Sequence, residues 1–347
     1  MHRIPQLDGL RAIAILMVFG THALGIPLLW TGVDLFFVLS GYLITGILLR
    51  LKDRSSVSGN GGYWKPFYFH RFRRIIPPYL GFLIVLSLVF QVPWAHLWYW
   101  YLFFGANFPV ALGKVSVAAM SPLWSLAVEE QFYFIWPWIV LLCNKKTLRQ
   151  IAGAVIILSP FVRAACTPLF AMHFPIYCLT VFRADTLAAG AFIALSEAND
   201  MHWIEKHRRI ALAGALGALA LFAIFSGAFP SFRTGANSIL FNSLGYTFSV
   251  LLFGSTLVYT LGLKNGWFYS ILTAPHVQYL GRISYTFYLY HLAVLLKVEE
   301  HLHSVIPAAV LAFAVTTAIA AISWRFFESP ILALNRAETP RGTLTLG

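Results

Sequence analysis

Residues 7–28 read Leu7-Asp-Gly-Leu-Arg-Ala-Ile-Ala-Ile-Leu-Met-Val-Phe-Gly-Thr-His-Ala-Leu-Gly-Ile-Pro-Leu28. About 20 mostly apolar residues is the length a helix needs to cross the hydrocarbon core of a bilayer. The stretch does not read as a cleavable signal peptide. It lacks a short apolar core ending at a small-residue cleavage site, and Asp8 and Arg11 stand at its start. Segments of the same kind recur along the chain. They predict spans near residues 8–28, 31–49, 76–92, 121–143, 150–169, 176–196, 208–228, 240–262, 279–298 and 306–326. Backbone polar groups at membrane depth must be satisfied within the chain, so these spans are helices. The expected fold class is all-α, a polytopic integral membrane protein with about ten transmembrane helices.

Composition agrees. Of 347 residues, 59% are hydrophobic and 11% charged, where a soluble domain carries about a quarter charged. A single membrane-embedded domain is expected over residues 1–335, with a short disordered tail at 336–347. No internal repeat is visible. The one low-complexity tract, Ser55-Ser-Val-Ser-Gly-Asn-Gly-Gly62, reads as flexible. The net charge of +12, from 25 Lys and Arg against 13 Asp and Glu, would point to nucleic acid in a soluble protein. Here it reads as the excess of Lys and Arg in cytoplasmic loops, so the lipid bilayer and not nucleic acid is the expected partner. Cys143, Cys166 and Cys178 show no disulfide or metal-ligand spacing and read as packing residues.

The basic loops set the orientation. Arg50, Lys52, Arg54, Lys65, Arg71, Arg73 and Arg74 form the strongest cationic cluster and should be cytoplasmic. So should Asn144-Lys-Lys-Thr-Leu-Arg149 and Lys206-His-Arg-Arg209, which puts both termini inside. An extra crossing at residues 94–112 would break this alternation. Residues 94–120 are therefore expected to form an external re-entrant or interfacial segment. Its Trp94, Trp98, Tyr99, Trp100 and Tyr101 suit the headgroup region, or could stack on a sugar.

Ionisable side chains are costly in a bilayer, so those inside spans are candidate functional groups. Most share one level in the outer half. His22 lies near the outer end of the first span and Asp34 just inside the outer end of the second. Glu129 and Glu130 fall roughly 12 Å into the span at 121–143, and Arg183 and Asp185 at a similar depth in theirs. His291 lies in the outer half of the ninth span. The shared depth suggests a single buried cavity. Arg11 sits lower, eleven residues before His22. Eleven residues is close to three helical turns, so both point the same way, about 16 Å apart. That face would suit a long ligand entering from the cytoplasm, its anionic part low and its reactive end near the imidazole.

Each residue also has a plainer reading. His22 could bond a neighbouring carbonyl, and Arg11 could snorkel to the headgroups. Glu129 and Glu130, about 100° apart on a helix, should not both face one cavity. Arg183 and Asp185 could form a structural ion-pair site, and His291 could pack among Tyr285, Tyr288 and Tyr290. The loop arginines could be ordinary cytoplasmic-side charge.

Seven blocks, in order, carry a further signal. They are Leu7-Asp-Gly-Leu-Arg11 with His22, and Gly32-Val-Asp-Leu-Phe-Phe-Val-Leu-Ser-Gly-Tyr-Leu-Ile-Thr45. Next come Phe67-Tyr-Phe-His-Arg71 through Arg73-Arg74-Ile-Ile-Pro-Pro-Tyr79, and Trp124-Ser-Leu-Ala-Val-Glu-Glu-Gln-Phe-Tyr133. Arg183-Ala-Asp185, Leu280-Gly-Arg-Ile-Ser-Tyr-Thr-Phe-Tyr-Leu-Tyr-His291 and Phe327-Glu-Ser-Pro330 complete the set. Together they resemble the acyltransferase-3 family of membrane-embedded O-acyltransferases. The resemblance implies an acyl-CoA donor from the cytoplasm, acetyl-CoA above all, and a hydroxyl acceptor on a carbohydrate or glycan. It implies a place in a bacterial cytoplasmic membrane. The family's Arg and His of the first helix fall on Arg11 and His22. Thr21-His22 departs from the paired histidines of many members, and the appended soluble hydrolase-like domain of some members is not seen.

Acyl transfer to a hydroxyl needs a base, oxyanion stabilisation and a positioned donor. His22 is expected to be the base in direct attack on the thioester, with Asp34, Glu129 or Glu130 orienting its ring. Arg11, Arg71, Arg73 and Arg74 are expected to hold the donor's phosphates. Trp124, Arg183, Asp185, Tyr288 and His291 are the expected substrate contacts. Ser40 is not favoured as a nucleophile, because the sequence sets no base beside it. No His-x-x-x-His spacing falls within a span, so no metal is expected. The rival reading is a transporter or flippase for a lipid-linked or small anionic substrate. It would call for repeated halves with broken helices.

Overall fold

A computed structural model of the chain describes residues 4–58, 61–115, 117–233 and 235–337. Two residues of the tract expected to be flexible, 59–60, and the expected tail from 338 onward lie outside the described residues. Among the described residues every regular element is helical. α1 (Pro5–Leu24) has proline in its first turn, where a missing N–H costs nothing. It stops at Gly25, whose φ of 64° lets its N–H close onto the Thr21 carbonyl, a left-handed cap that suits glycine. α2 (Gly32–Ser58) and α3 (Gly61–Phe90) follow, and then the short α4 (Trp98–Leu102) and α5 (Asn107–Ala111). α6 (Leu123–Leu142) and α7 (Lys145–Cys166) lead through the short α8 (Phe174–Cys178) to α9 (Thr180–Asn199) and α10 (Trp203–Ala228). The chain ends in α11 (Tyr246–Leu261), the short α12 (Trp267–Thr273), α13 (Pro275–Glu299), α14 (Val305–Ser323) and α15 (Ser329–Ala337).

The chain is a polytopic, all-helical membrane protein. Eight helical stretches are long and apolar enough to cross a membrane. The two other spans expected from the sequence, near 121–143 and 279–298, correspond to α6 and α13, helices of 20 and 25 residues. Both are less apolar than the eight, diluted by Glu129 and Glu130 in one and by Tyr285, Tyr288 and His291 in the other.

Two close helix crossings fix the bundle around that site. A Cβ on Gly41 of α2 would collide with the Leu187 carbonyl of α9, and one on Gly190 of α9 with the Val38 carbonyl of α2. Small residues let membrane helices approach to backbone contact, where packing and not a hydrophobic driving force holds them. α1 meets α13 in the same way, with Gly281 against the Asp8 carbonyl.

The basic segments expected on one side gather at one end of the bundle. Lys52 Nζ donates to the Val140 and Cys143 carbonyls at 2.7 Å each, tying the end of α2 to the end of α6. Lys145, at the start of α7, lies 3.7 Å from Asp53. Gln6 Nε2 donates to the Leu263 carbonyl at 3.1 Å, and Arg208 Nη1 to the Gly262 carbonyl at 3.1 Å. These contacts join the N-terminal parts of α1 and α10 to the residues just after α11.

Residues 94–120 form no continuous spanning helix. The segment breaks into α4, α5 and single 3₁₀ turns and folds against the bundle. Tyr79 donates to the Tyr101 carbonyl at 2.8 Å, and Gln131 Nε2 to the Phe104 carbonyl at 3.0 Å. Irregular backbone of this kind is tolerated at membrane depth only where protein groups satisfy it. Tyr101 is buried, while Trp98 and Phe103 are exposed.

Candidate active site

Five helices, α1, α2, α3, α6 and α13, enclose a cavity of about 100 Å³. Arg11, Arg71 and Arg74 line it, each from a position expected to hold an anionic donor. Arg11 Nη1 donates to Asp8 Oδ1 at 3.3 Å. The Arg71 guanidinium lies 4.7 Å from the centre of the Tyr133 ring, which also lines the cavity. Arg73 points elsewhere, its guanidinium 3.9 Å from the Phe69 ring centre. Consecutive residues on a helix diverge by about 100°, so Arg73 and Arg74 could not share one wall.

The same geometry separates the paired carboxylates. Glu129 lines the cavity, and its Oε1 accepts a hydrogen bond of 2.6 Å from Ser40 Oγ. Glu130 turns away, into a groove that it shares with Lys65, Tyr68 and Arg71. Its Oε1 is buried without a hydrogen-bond partner among the described residues.

His22 and His291 meet. Nδ1 of His22 and Nε2 of His291 are 3.2 Å apart, and the ring centroids 5.0 Å. Two carbonyls fix the tautomers, since a carbonyl can only accept. His291 Nδ1 lies 2.5 Å from the Tyr288 carbonyl and must carry hydrogen toward it, so its Nε2 is an acceptor. His22 Nδ1 lies 2.9 Å from the Val18 carbonyl and must also carry hydrogen, shared between that carbonyl and His291 Nε2. The lone pair of His22 Nε2 is left free. His291 is fully buried and His22 is exposed.

Neither imidazole lines the cavity. Tyr288 stands between the two places. It lines the cavity, and its ring lies 5.4 Å from His291 and 6.2 Å, edge-on, from Phe36. Its hydroxyl donates to the Pro122 carbonyl at 2.9 Å and shares a hydrogen bond of 2.6 Å with Ser125 Oγ. One expectation needs correcting here. The single cavity suggested by shared depth is two places, an arginine-lined cavity and an imidazole pair exposed at His22, parted by one tyrosine.

Asp34, Arg183 and Asp185 belong to neither place. Arg183 Nη2 pairs with Asp34 Oδ1, and Ser249 Oγ donates to Asp34 Oδ2 at 2.6 Å. Asp185 Oδ2 accepts from Arg163 Nη1 at 2.7 Å. An ion-pair site at Arg183 and Asp185 was one reading, but the two do not pair with each other. Residues two apart on a helix do not face one another, so each finds its partner on another element. Trp124 joins them, its ring centre 5.9 Å from the Arg183 guanidinium. Tyr246 lies nearer at 4.4 Å, with Trp30, Phe37 and Tyr177 within 5.9 Å. Arg163 was missed by sequence reasoning. A π-helical turn at Phe241–Gly245 supplies the Asn242 carbonyl that Arg163 Nε bonds at 2.7 Å.

Three further residues were not singled out for the site. Tyr133 lines the cavity beside Ser40 and Glu129. Ser125 holds Tyr288. Glu328, buried in a second π-helical turn at Trp324–Glu328, accepts from Thr286 Oγ1 at 2.7 Å. Only its Glu-x-Pro context marked it in the sequence. Among the described residues no group of three or more His, Cys, Asp and Glu is placed to hold a metal ion.

Comparison with known proteins adds to the geometry. Residues 4–325 match a family profile described as an acyltransferase domain. The chain is 28% identical over 359 residues to the peptidoglycan O-acetyltransferase OatA of Listeria monocytogenes, covering 94% of this chain and 56% of that protein. It is 26% identical over 358 residues to the O-acetyltransferase OatA of Staphylococcus aureus, covering 94% of this chain and 57% of that protein. The chain thus spans a little over half the length of these relatives. No solved structure matches it.

Proposed function

This chain belongs to the acyltransferase domain family, and on that footing we propose that it is a membrane O-acetyltransferase of a bacterial envelope. It takes an acetyl group from cytoplasmic acetyl-CoA and delivers it to a hydroxyl of a glycan. One observation carries the reading. A single face of α1 presents Arg11 to an arginine-lined cavity and, three turns on, His22 to His291. Three guanidiniums around one small space suit an anionic donor, since arginine forks match phosphate oxygens. A volume of about 100 Å³ suits the acyl end of such a donor and not its nucleotide. The phosphates would lie toward the basic end of the bundle.

His22 is the general base of the transfer. Its bare Nε2 can take a proton, and His291, held by the Tyr288 carbonyl, fixes the ring in the tautomer that leaves Nε2 free. The acceptor reaches this imidazole from the outer side, where His22 is exposed. The names of the two relatives make peptidoglycan the first glycan to try.

The test is transfer of labelled acetyl from acetyl-CoA by the purified chain in nanodiscs, against a panel of glycans that includes peptidoglycan fragments. Wild type should transfer. His22→Ala should lose turnover and keep donor binding, while Arg11→Ala should weaken binding. Near-normal transfer by His22→Ala would remove the base assignment. A wild type that neither binds nor consumes acetyl-CoA would remove the donor, and with it the enzyme reading.

A further inference from the structure

We infer that Ser40 is an acyl-carrying nucleophile activated by Glu129, so that the chain works through a covalent acyl-serine intermediate. The inference rests on the acetyl-CoA reading above and replaces the direct attack expected from the sequence. It starts from the 2.6 Å contact between Ser40 Oγ and Glu129 Oε1. Ser40 Oγ is the donor in this contact and Glu129 Oε1 the acceptor, so the serine proton points at Glu129. A hydroxyl whose proton is already held by a base is the usual arrangement of an activated serine.

Three more observations distinguish the pair from a satisfied buried hydrogen bond. Both residues line the arginine-lined cavity, where a donor would put its thioester. Arg11, Arg71 and Tyr133 line the same small space and supply donors for the oxyanion that attack would create. The neighbour of Ser40 is Gly41, locked against the Leu187 carbonyl at the crossing of α2 and α9. The serine therefore sits on a backbone that cannot drift, as a reacting atom needs.

The position of His22 adds the need. His22 does not line this cavity, and Tyr288 lies between. Glu129, not His22, is the base that stands beside the thioester site. A serine ester divides the transfer into two steps, with Glu129 the base of the first and His22 the base of the second. In the first step the Ser40 oxygen bonds the acyl carbon and the carbon–sulfur bond breaks. Glu129 takes the serine proton and passes it to the departing thiolate, which leaves as the free thiol of CoA. In the second step the acceptor oxygen bonds the acyl carbon and the Ser40 ester bond breaks. The acceptor proton, taken by His22, ends on the Ser40 oxygen. Neither step needs an oxidant or a reductant.

The test traps the ester. Purified full-length chain in nanodiscs is mixed with labelled acetyl-CoA in the absence of acceptor, quenched in acid, digested and mapped by mass spectrometry. Wild type should carry one acetyl group, on Ser40. Ser40→Ala should carry none while melting like wild type. Ser40→Cys should carry a thioester that neutral hydroxylamine removes, which guards against a misfolded alanine variant. Glu129→Gln should slow labelling by about 10²-fold or more, the scale of a lost general base. Label on His22, or transfer to acceptor by Ser40→Ala at near the wild-type rate, overturns the inference alone. So does turnover of acetyl-CoA by wild type with Ser40 unlabelled. A wild type that consumes no acetyl-CoA in the presence of any acceptor overturns the donor reading as well.

Discussion

Replacing Arg183 with methionine tests whether the deepest charges of the bundle serve folding or chemistry. Arg183 and Asp34 are both buried and paired, and Arg163 and Asp185 form a second buried pair beside them. Two cations and two anions cancel. Arg183→Met leaves a net negative charge in a membrane interior, with Asp34 keeping only the Ser249 hydroxyl as a direct partner. Removing one member of a buried pair costs about 3–5 kcal/mol, roughly a 150- to 5,000-fold fall in the folded-to-unfolded ratio. The five rings around the guanidinium lose their cation as well, which pushes the cost toward the upper end. Arg183→Met with Asp34→Asn restores neutrality and should recover about 2 kcal/mol, a coupling within the range of contacting residues. Unfolding followed by tryptophan fluorescence in detergent with added denaturant reads these values. Acetyl transfer per folded molecule should stay within about twofold of wild type, because the pair stands apart from the arginine-lined cavity and from the histidine pair. An Arg183→Met protein within about 1 kcal/mol of wild type would refute the buried pair. A well-folded variant with transfer down by 10²-fold or more would return Arg183 to the substrate contacts.

Other outcomes follow from the same geometry. His291→Ala should lower the transfer rate by about 10²-fold without changing the affinity for acetyl-CoA, measured by titration calorimetry beside steady-state rates. Arg74→Ala should raise the KM for acetyl-CoA by about tenfold or more, the scale of one charged hydrogen bond, and leave kcat nearly unchanged. Gly190→Leu should force α2 and α9 apart at a cost above about 4 kcal/mol, seen as loss of monodisperse protein on size exclusion. Tyr63→Phe should cost about 1 kcal/mol in thermal unfolding, because its hydroxyl donates to the Pro137 carbonyl at 2.7 Å inside the bundle.

Much of the fold was legible because hydrocarbon permits few alternatives. A run of apolar residues of sufficient length is a helix in a bilayer, and eight of the expected spans follow from that rule alone. The common face of Arg11 and His22 was legible for a similar reason, since helical repeat is local. What the repeat could not tell is that two positions on one face open into different spaces. Contacts between distant segments were out of reach. Ser40 and Glu129 are 89 residues apart, and His22 and His291 are 269. Both members of the first pair stand in recognisable sequence blocks, yet nothing in the sequence places a base beside Ser40. The partners of Arg183 and Asp185 were hidden the same way. Arg163 carries no motif, and only the packing of α7 on α9 brings it to Asp185.

The tyrosine that divides the cavity from the histidine pair has an electrical consequence. A membrane potential falls mainly across the part of a protein that excludes water, and each charge moved through 100 mV changes in energy by about 2.3 kcal/mol. Tyr288, held by the Ser125 hydroxyl and the Pro122 carbonyl, stands within that part of the bundle. In the proposed transfer the anionic carrier stays with the arginines on one side and the hydroxyl acceptor stands on the other. What passes the divide is a neutral acetyl group. Transfer across it should be electrically silent, its rate indifferent to voltage, while the wall remains closed to ions that would otherwise discharge the cell.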